Sequence, residues 1–263
     1  MSTGAERFDV AGPAGRVSAL HWPGPAEATG VLLLHPVNTA ARVWEEVAPL
    51  LNRPVVAIDY RGHGGSEPGD SYLPADFAAD ALAVLDKLGW PRVHLAGGSI
   101  GGAVAVELAA LVPDRVASIG AFGATLHIGT PADELDATVA GLRELGVDEA
   151  FRQHGRLIVG SRALPGSADR FVELGGGRDL QVVVEIVRTT FGVADARPAA
   201  GRLPKIPALV AVGTEDPTCP VAMAAELAGY LATEVRLIEG IGHLPMVEAP
   251  DEVAELLREL QQS

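Results

Sequence analysis

The stretch Val93-His94-Leu95-Ala96-Gly97-Gly98-Ser99-Ile100-Gly101-Gly102 decides the reading of this chain. An apolar, β-like run ends in a serine set between small residues, and an apolar helical run follows at once. Such a G-x-S-x-G crease is a tight strand-to-helix turn that lifts a serine hydroxyl above the edge of a sheet. Side chains two residues to either side would collide with the neighbouring elements, so Gly97 and Gly101 are the residue types the turn requires. The first helical N–H groups have no partner inside the helix and face the place where an anion would form. A glycine-rich turn before a helix can equally hold a phosphate or be plain structure, so its setting has to decide.

Outward from this turn, short apolar runs alternate with longer amphipathic ones. Strands are predicted at 16–22, 31–35, 55–59, 92–96, 116–122, 208–213 and 234–238, and helices at 41–51, 73–88, 100–111, 221–230 and 252–260. Several strands carry Val, Ile and Leu on both faces, as strands covered on both sides do. The first two strands, with little between them, read as an antiparallel hairpin. The later β-α-β order implies an α/β fold, a mostly parallel sheet with helices on both faces.

One interval breaks the rhythm. From 124 to 202 the chain is mostly helical in character, with Pro131, Pro165 and Gly175-Gly176-Gly177 as breaks and with Leu135, Val139, Leu142 and Leu145 at helical spacing. The β-branched run 182–187 suggests a strand, but its place in this interval favours a helix. The expected organisation is a core of residues 1–123 and 203–263 with a helical cap, 124–202, inserted over the strand ends. The proline-rich stretch 197–207 reads as the return linker.

Composition narrows the function classes. The chain has 263 residues, 48% of them hydrophobic, and a formal net charge of −14. That is enough apolar material for one sizeable core. An acidic surface does not attract nucleic acid or anionic membranes. Apart from Lys87 and Lys205 its positive charge is arginine. A single cysteine, Cys219, excludes an internal disulfide, and no basic-then-apolar leader opens the sequence. The expected location is the cytoplasm. No apolar run approaches the roughly 20 residues that span a bilayer. The histidines and carboxylates lack metal-ligand spacing and the glycines form no dinucleotide fingerprint, so neither metal nor cofactor is expected.

A serine that transfers acyl groups needs a base, an orienter for the base and donors for an oxyanion. Each has a candidate, in the chain order Ser…Asp…His. The base is His243, in the glycine-rich loop Glu239-Gly240-Ile241-Gly242-His243-Leu244-Pro245 after the last strand. Of the other histidines, His94 lies inside a strand, His21 near the N-terminal hairpin, and His127 and His154 in the inserted interval. The orienter is Asp216, in Val212-Gly213-Thr214-Glu215-Asp216-Pro217 at a strand's carboxyl end, where open α/β sheets carry functional residues. Glu215 is its nearest competitor. The oxyanion donors are the N–H groups of Ile100 and Val37. Pro36 has no N–H to give. Asn38 adds a side-chain donor or shapes the turn.

These residues together resemble the α/β-hydrolase superfamily over nearly the whole chain. Asp59-Tyr60-Arg61-Gly62-His63-Gly64-Gly65-Ser66 looks like that family's D-x-R-G-x-G-x-S turn, which is usually structural, so Asp59, Arg61 and His63 stay outside the catalytic set. His35-Pro36 stands where the family commonly has His-Gly, and Trp44 matches a tryptophan often seen in the following helix. Gly98-Ser99-Ile100-Gly101-Gly102, Gly213-Thr214-Glu215-Asp216-Pro217 and Gly242-His243-Leu244-Pro245-Met246-Val247-Glu248 look most like small esterases and 3-oxoadipate enol-lactonases. Carbon–carbon bond hydrolases and non-haem peroxidase-type relatives share these segments. A haloalkane dehalogenase would need an aspartate at 99.

The resemblance implies a serine hydrolase acting on a small-molecule ester or lactone of a largely apolar acid, through an acyl-enzyme on Ser99. Rivals are a carbon–carbon hydrolase with the same three residues, a lyase or cyclase that keeps only the base, and a receptor that binds without turnover. Asn38, His127, Phe151 and Phe191 are the expected substrate contacts, with Leu126, Leu135, Leu142, Leu157, Ile158 and Phe171 as further walls. Arg152, Arg156 and Arg188 either bind a substrate carboxylate or form a solvated helix face. Cys219 and Met223 read as packing near the acid loop.

Overall fold

The computed structural model describes residues 4–262. Its strands are β1 (Glu6–Gly12), β2 (Gly15–Trp22), β3 (Gly30–Leu34), β4 (Val55–Ile58), β5 (Val93–Gly98), β6 (Val116–Phe122), β7 (Ala208–Gly213) and β8 (Val235–Ile238). They form one sheet in the order β1-β2-β4-β3-β5-β6-β7-β8. β2 runs antiparallel to both β1 and β4, and all later pairings are parallel.

Strand residues feed two cores in alternation, which is why β3 and β4 read as unbroken apolar runs. Leu32, Leu34, Val56 and Ile58 face the core shared with α1 (Pro74–Leu88), α2 (Ile100–Leu111) and α8 (Val221–Tyr230). Val31, Leu33, Val55 and Ala57 face the other core, shared with α9 (Pro250–Leu260). Local signals place the ends of α1. Pro74 occupies its first turn, the Asp76 carboxylate accepts the Leu73 N–H at 2.9 Å, and Gly89 ends it at φ 65°.

Between β6 and β7 run α3 (Ala132–Leu145), α4 (Val147–Ile158), α5 (Ser167–Gly175), α6 (Leu180–Val187), a π-helical turn (Arg188–Val193) and α7 (Arg197–Ala200). The run 182–187 is helical, and the Asp179 carboxylate accepts the N–H groups of Gln181 and Val182 at its start. Leu142, Phe151, Ile158 and Phe171 of these helices join the second core.

Three expectations need correction. The antiparallel hairpin is β1–β2, not the pair 16–22 and 31–35; β2 pairs instead with β4, and β3 lies inside the parallel part. β1 was not predicted because only Val10 of its side chains is buried, which leaves no clear alternation. The helix expected at 41–51 is two 3₁₀ turns, Ala41–Trp44 and Ala48–Leu51, with Pro49 in the second and Asn52 at φ 49° closing it. The linker 197–207 begins with the turn of α7.

The chain leaves β3 for β4 on one side and returns to β5 on the other. The loops after β3 and β5 therefore part company above the middle of the sheet, the point where open α/β sheets form a crevice.

Candidate active site

Ser99 joins β5 to α2 with φ 52° and ψ −123°. A non-glycine residue held there costs about 1–3 kcal/mol, which the surroundings must over-determine. They do so by contact. The Ser99 N–H donates to Phe122 O at 3.1 Å. A Cβ on Gly97 would lie 2.2 Å from the Gly101 carbonyl carbon, and one on Gly101 would lie 2.3 Å from Leu34 O. The crease therefore forms only with glycine at both positions.

His243 reaches this serine from the loop after β8. Its Nε2 lies 3.0 Å from Ser99 Oγ, and its Nδ1 lies 3.0 and 2.9 Å from Asp216 Oδ1 and Oδ2. All three side chains are buried. A carboxylate only accepts, so Nδ1 carries the proton and donates to Asp216, leaving Nε2 to accept from the Ser99 hydroxyl. Asp216 Oδ1 also accepts the N–H groups of Thr218 at 2.8 Å and Cys219 at 2.9 Å. Glu215, the competing acid, turns away and binds the Ser161 N–H and hydroxyl at 2.6 and 2.7 Å. Burial and then the charge of Asp216 push the Cys219 thiol pKa up, in keeping with a packing role.

Glu248 is a part of this site that the sequence did not single out. Its buried carboxylate accepts the N–H groups of Gly160, Gly242 and Leu244, each at 2.8 Å. Two of these flank His243, whose own N–H donates to Ile158 O at 2.7 Å. Removing the acceptor strands buried donors, each worth about 1–3 kcal/mol. Glu248→Ala is therefore expected to lower the unfolding free energy by about 3 kcal/mol, read from urea denaturation. Glu248→Gln keeps one oxygen and should lose less.

The loop after β3 supplies the other wall. Asn38 has φ 61°, and Val37 is buried beside it. Two buried imidazoles hold this loop from beneath. His63 Nε2 accepts the Asn38 N–H at 3.2 Å while its Nδ1 donates to Arg61 O at 3.1 Å. His35 Nε2 accepts the Tyr60 N–H at 3.1 Å while its Nδ1 donates to Pro36 O at 2.7 Å. His63 thus touches the site from the turn read as usually structural. Asp59 and Arg61 keep that reading: Asp59 accepts from Ala41 and Gly65 N–H, and Arg61 forks onto Asp80.

Burial lowers the His35 pKa from 6.5 to about 4. Above pH 6.5 the ring is neutral folded or unfolded and contributes no pH dependence. Below it the unfolded chain takes a proton that the folded chain refuses, so stability falls as pH drops toward 4. The loss from this one group reaches about 3 kcal/mol. Denaturation curves at pH 7 and pH 4.5 check it: His35→Asn should reduce the difference, with buried His63 contributing in the same direction.

Above Ser99 lies a cavity of about 240 Å³. Its walls include Val37, Asn38, Leu142, Phe151, Phe171 and Phe191, with His154, Thr138 and Thr218 as further polar groups. Of the four substrate contacts expected from sequence, Asn38, Phe151 and Phe191 line this space. His127 does not: its Nδ1 lies 2.8 Å from Ala194 O and its backbone bridges to Asp195. Leu126 and Leu135 also lie outside it, packed in the cores. Arg152, Arg156 and Arg188 are not among its walls either, and Arg152 and Arg188 pair with Glu149 and Asp136. Among the described residues no cluster of His, Cys, Asp and Glu is suited to a metal ion, and no helix is long and apolar enough to cross a membrane.

The sequence model of the alpha/beta hydrolase family matches residues 31–256. The chain belongs to that family. An esterase of Mycobacterium tuberculosis is 35% identical over 130 residues, which cover 45% of this chain and 43% of that protein. A 2-hydroxymuconate semialdehyde hydrolase of Pseudomonas sp. strain CF600 is 28% identical, with 86% of this chain and 84% of that protein aligned. The chain spans less than half the length of the first curated relatives it matches. Among solved structures, an enol-lactonase of Burkholderia xenovorans superimposes with a TM-score of 0.86 at 23% identity, over 97% of this chain and 100% of that one. At that identity the likeness is one of fold.

Proposed function

We propose that the chain is a serine hydrolase that cleaves carboxylic esters or lactones whose acyl part is apolar and uncharged. The observation that carries this reading is the Asp216–His243–Ser99 chain of hydrogen bonds at the floor of an apolar cavity. In this reading His243 Nε2 takes the hydroxyl proton as Ser99 Oγ attacks the carbonyl carbon. The N–H groups of Ile100 and Val37 receive the oxyanion, and Asp216 steadies the imidazolium without taking its proton. The protonated His243 gives its proton to the departing alkoxide. It then deprotonates a water that attacks the acyl-enzyme and frees the acid. Residues 124–202 act as the cap that walls the acyl site.

The wall chemistry supports the neutral acyl group. Among the described residues no Lys, Arg, Asp or Glu lines the cavity. A carboxylate carried into it would lose its water without gaining a charged partner, at a cost of several kcal/mol. A second reading, cleavage of a carbon–carbon bond by the same three residues, is favoured by the relative named as a semialdehyde hydrolase, which aligns over 84% of its length.

A fluorophosphonate probe followed by peptide mapping tests the nucleophile, with labelling at Ser99 expected. A panel of p-nitrophenyl butanoate, p-nitrophenyl hemisuccinate and a vinylogous diketone tests the substrate. Turnover of butanoate well above hemisuccinate is the expected result. No labelling and no ester turnover would remove the proposal, and diketone cleavage alone would favour the second reading.

A further inference from the structure

Arg178 lies between α5 and α6, and its guanidinium joins three separate segments. Nε donates to Gly175 O at 3.0 Å, Nη1 to Gly62 O at 3.2 Å, and Nη2 to Asn38 Oδ1 at 2.6 Å. Its centre stands 5.7 Å from the centroid of the Phe151 ring, a wall of the cavity. Burial lowers its pKa to about 10. Among the described residues no carboxylate pairs with it.

A half-buried cation without a counter-ion gives up hydration for no ion pair, so stability alone is a weak reason for an arginine here. Its planar fork suits a different task, fixing the relative position of several acceptors at once. The acceptor it binds most closely is the side chain of Asn38, next to the Val37 N–H. Asn38 is held on every side. Its N–H goes to His63, its side chain goes to Arg178, and its carbonyl packs so tightly on α5 that a Cβ at Gly175 would lie 2.1 Å from it. Two of those three contacts come from the helical segment between β6 and β7.

We infer that Arg178 is a positioning residue for the oxyanion loop, making the aim of the Val37 N–H depend on that helical segment being seated over the cavity. An acyl group pressing on Phe151 reinforces the seat from the substrate side, through the ring face that the guanidinium covers. The inference rests on the serine-hydrolase reading above.

The test compares Arg178→Gln, Arg178→Lys, Asn38→Ala and the double variant Arg178→Gln/Asn38→Ala with the unaltered chain. Three quantities are read: kcat and KM on p-nitrophenyl butanoate, the affinity of a trifluoromethyl ketone that forms a tetrahedral oxyanion on Ser99, and the rate of fluorophosphonate labelling. Misaiming one donor is expected to lower kcat about 10- to 100-fold and weaken the ketone in proportion, with KM nearly unchanged. Arg178→Lys should fall between, since it restores a charge without the fork. The double variant should lose no more than the worse single one, because both changes cut the same link.

A folded Arg178→Gln enzyme with undiminished kcat and ketone affinity overturns the inference. So do losses that multiply in the double variant, or a loss confined to KM. If Arg178→Gln does not fold, Arg178→Lys and Asn38→Ala carry the same comparison. Failure of the probe to label Ser99 in the unaltered chain would defeat the serine-hydrolase reading itself; normal labelling there with an equal rate in Arg178→Gln defeats only this inference.

Discussion

Ser99→Ala is expected to lower kcat on a p-nitrophenyl ester by about 10⁴- to 10⁶-fold, the scale seen when a serine nucleophile is removed from a three-residue site. KM should change little, because the cavity walls are untouched and only one oxygen is lost. Stability should change little as well. Alanine inherits the φ of 52° at position 99 and so inherits its strain. No neighbouring group can take over: the Cys219 thiol is buried with its pKa driven up. Residual turnover within tenfold of the unaltered enzyme, after contaminating wild-type protein has been excluded by active-site titration, would contradict the assignment.

The second large effect is expected for Asp216→Asn, about 10⁴-fold in kcat. The backbone decides how the new amide sits. The N–H groups of Thr218 and Cys219 both point at Oδ1, so the amide oxygen must occupy that place. Its NH₂ then takes the place of Oδ2, 2.9 Å from His243 Nδ1. The oxygen, 3.0 Å from Nδ1, already accepts from Thr218 and Cys219, so the NH₂ donor makes Nδ1 the acceptor, which moves the ring proton to Nε2 and faces it toward Ser99 Oγ. The imidazole stays in place but can no longer take the hydroxyl proton. A fold and melting temperature close to the parent, with kcat lost and KM retained, is the pattern that separates this tautomer effect from collapse of the loop. Asp216→Ala should remove catalysis too, but with a loss of stability from the two stranded N–H groups.

Much of this arrangement was legible in the linear sequence, and the reasons are local. Gly97, Ser99 and Gly101 announce the crease because only small residues tolerate its contacts. Asp216 and His243 each follow an apolar strand, so topology alone brings them to one edge of the sheet. What escaped notice depends on distance along the chain. His63 bonds to Asn38 across 25 residues, Glu248 to Gly160 across 88, and Arg178 to Asn38 across 140. None of these pairings leaves a spacing or period that a sequence reading can detect. His127 was misjudged for the same reason, since its ring is taken by Ala194 O, 67 residues away. β1 and the 3₁₀ turns at 41–51 were lost to weaker signals, an exposed strand and a proline within an apolar run.

The stitching of residues 158–162 to the His243 region has a practical corollary. Ile158 O holds the His243 N–H, Gly160 N–H binds Glu248, Ser161 binds Glu215, and Arg162 N–H donates to Gly240 O. Recombining this chain with a homologue therefore has a natural cutting pattern. Helix α3 can be exchanged as a piece, whereas the five-residue clasp 158–162 belongs with the His243 loop and has to travel with it, and α5 has to stay with the Asn38 loop it packs against.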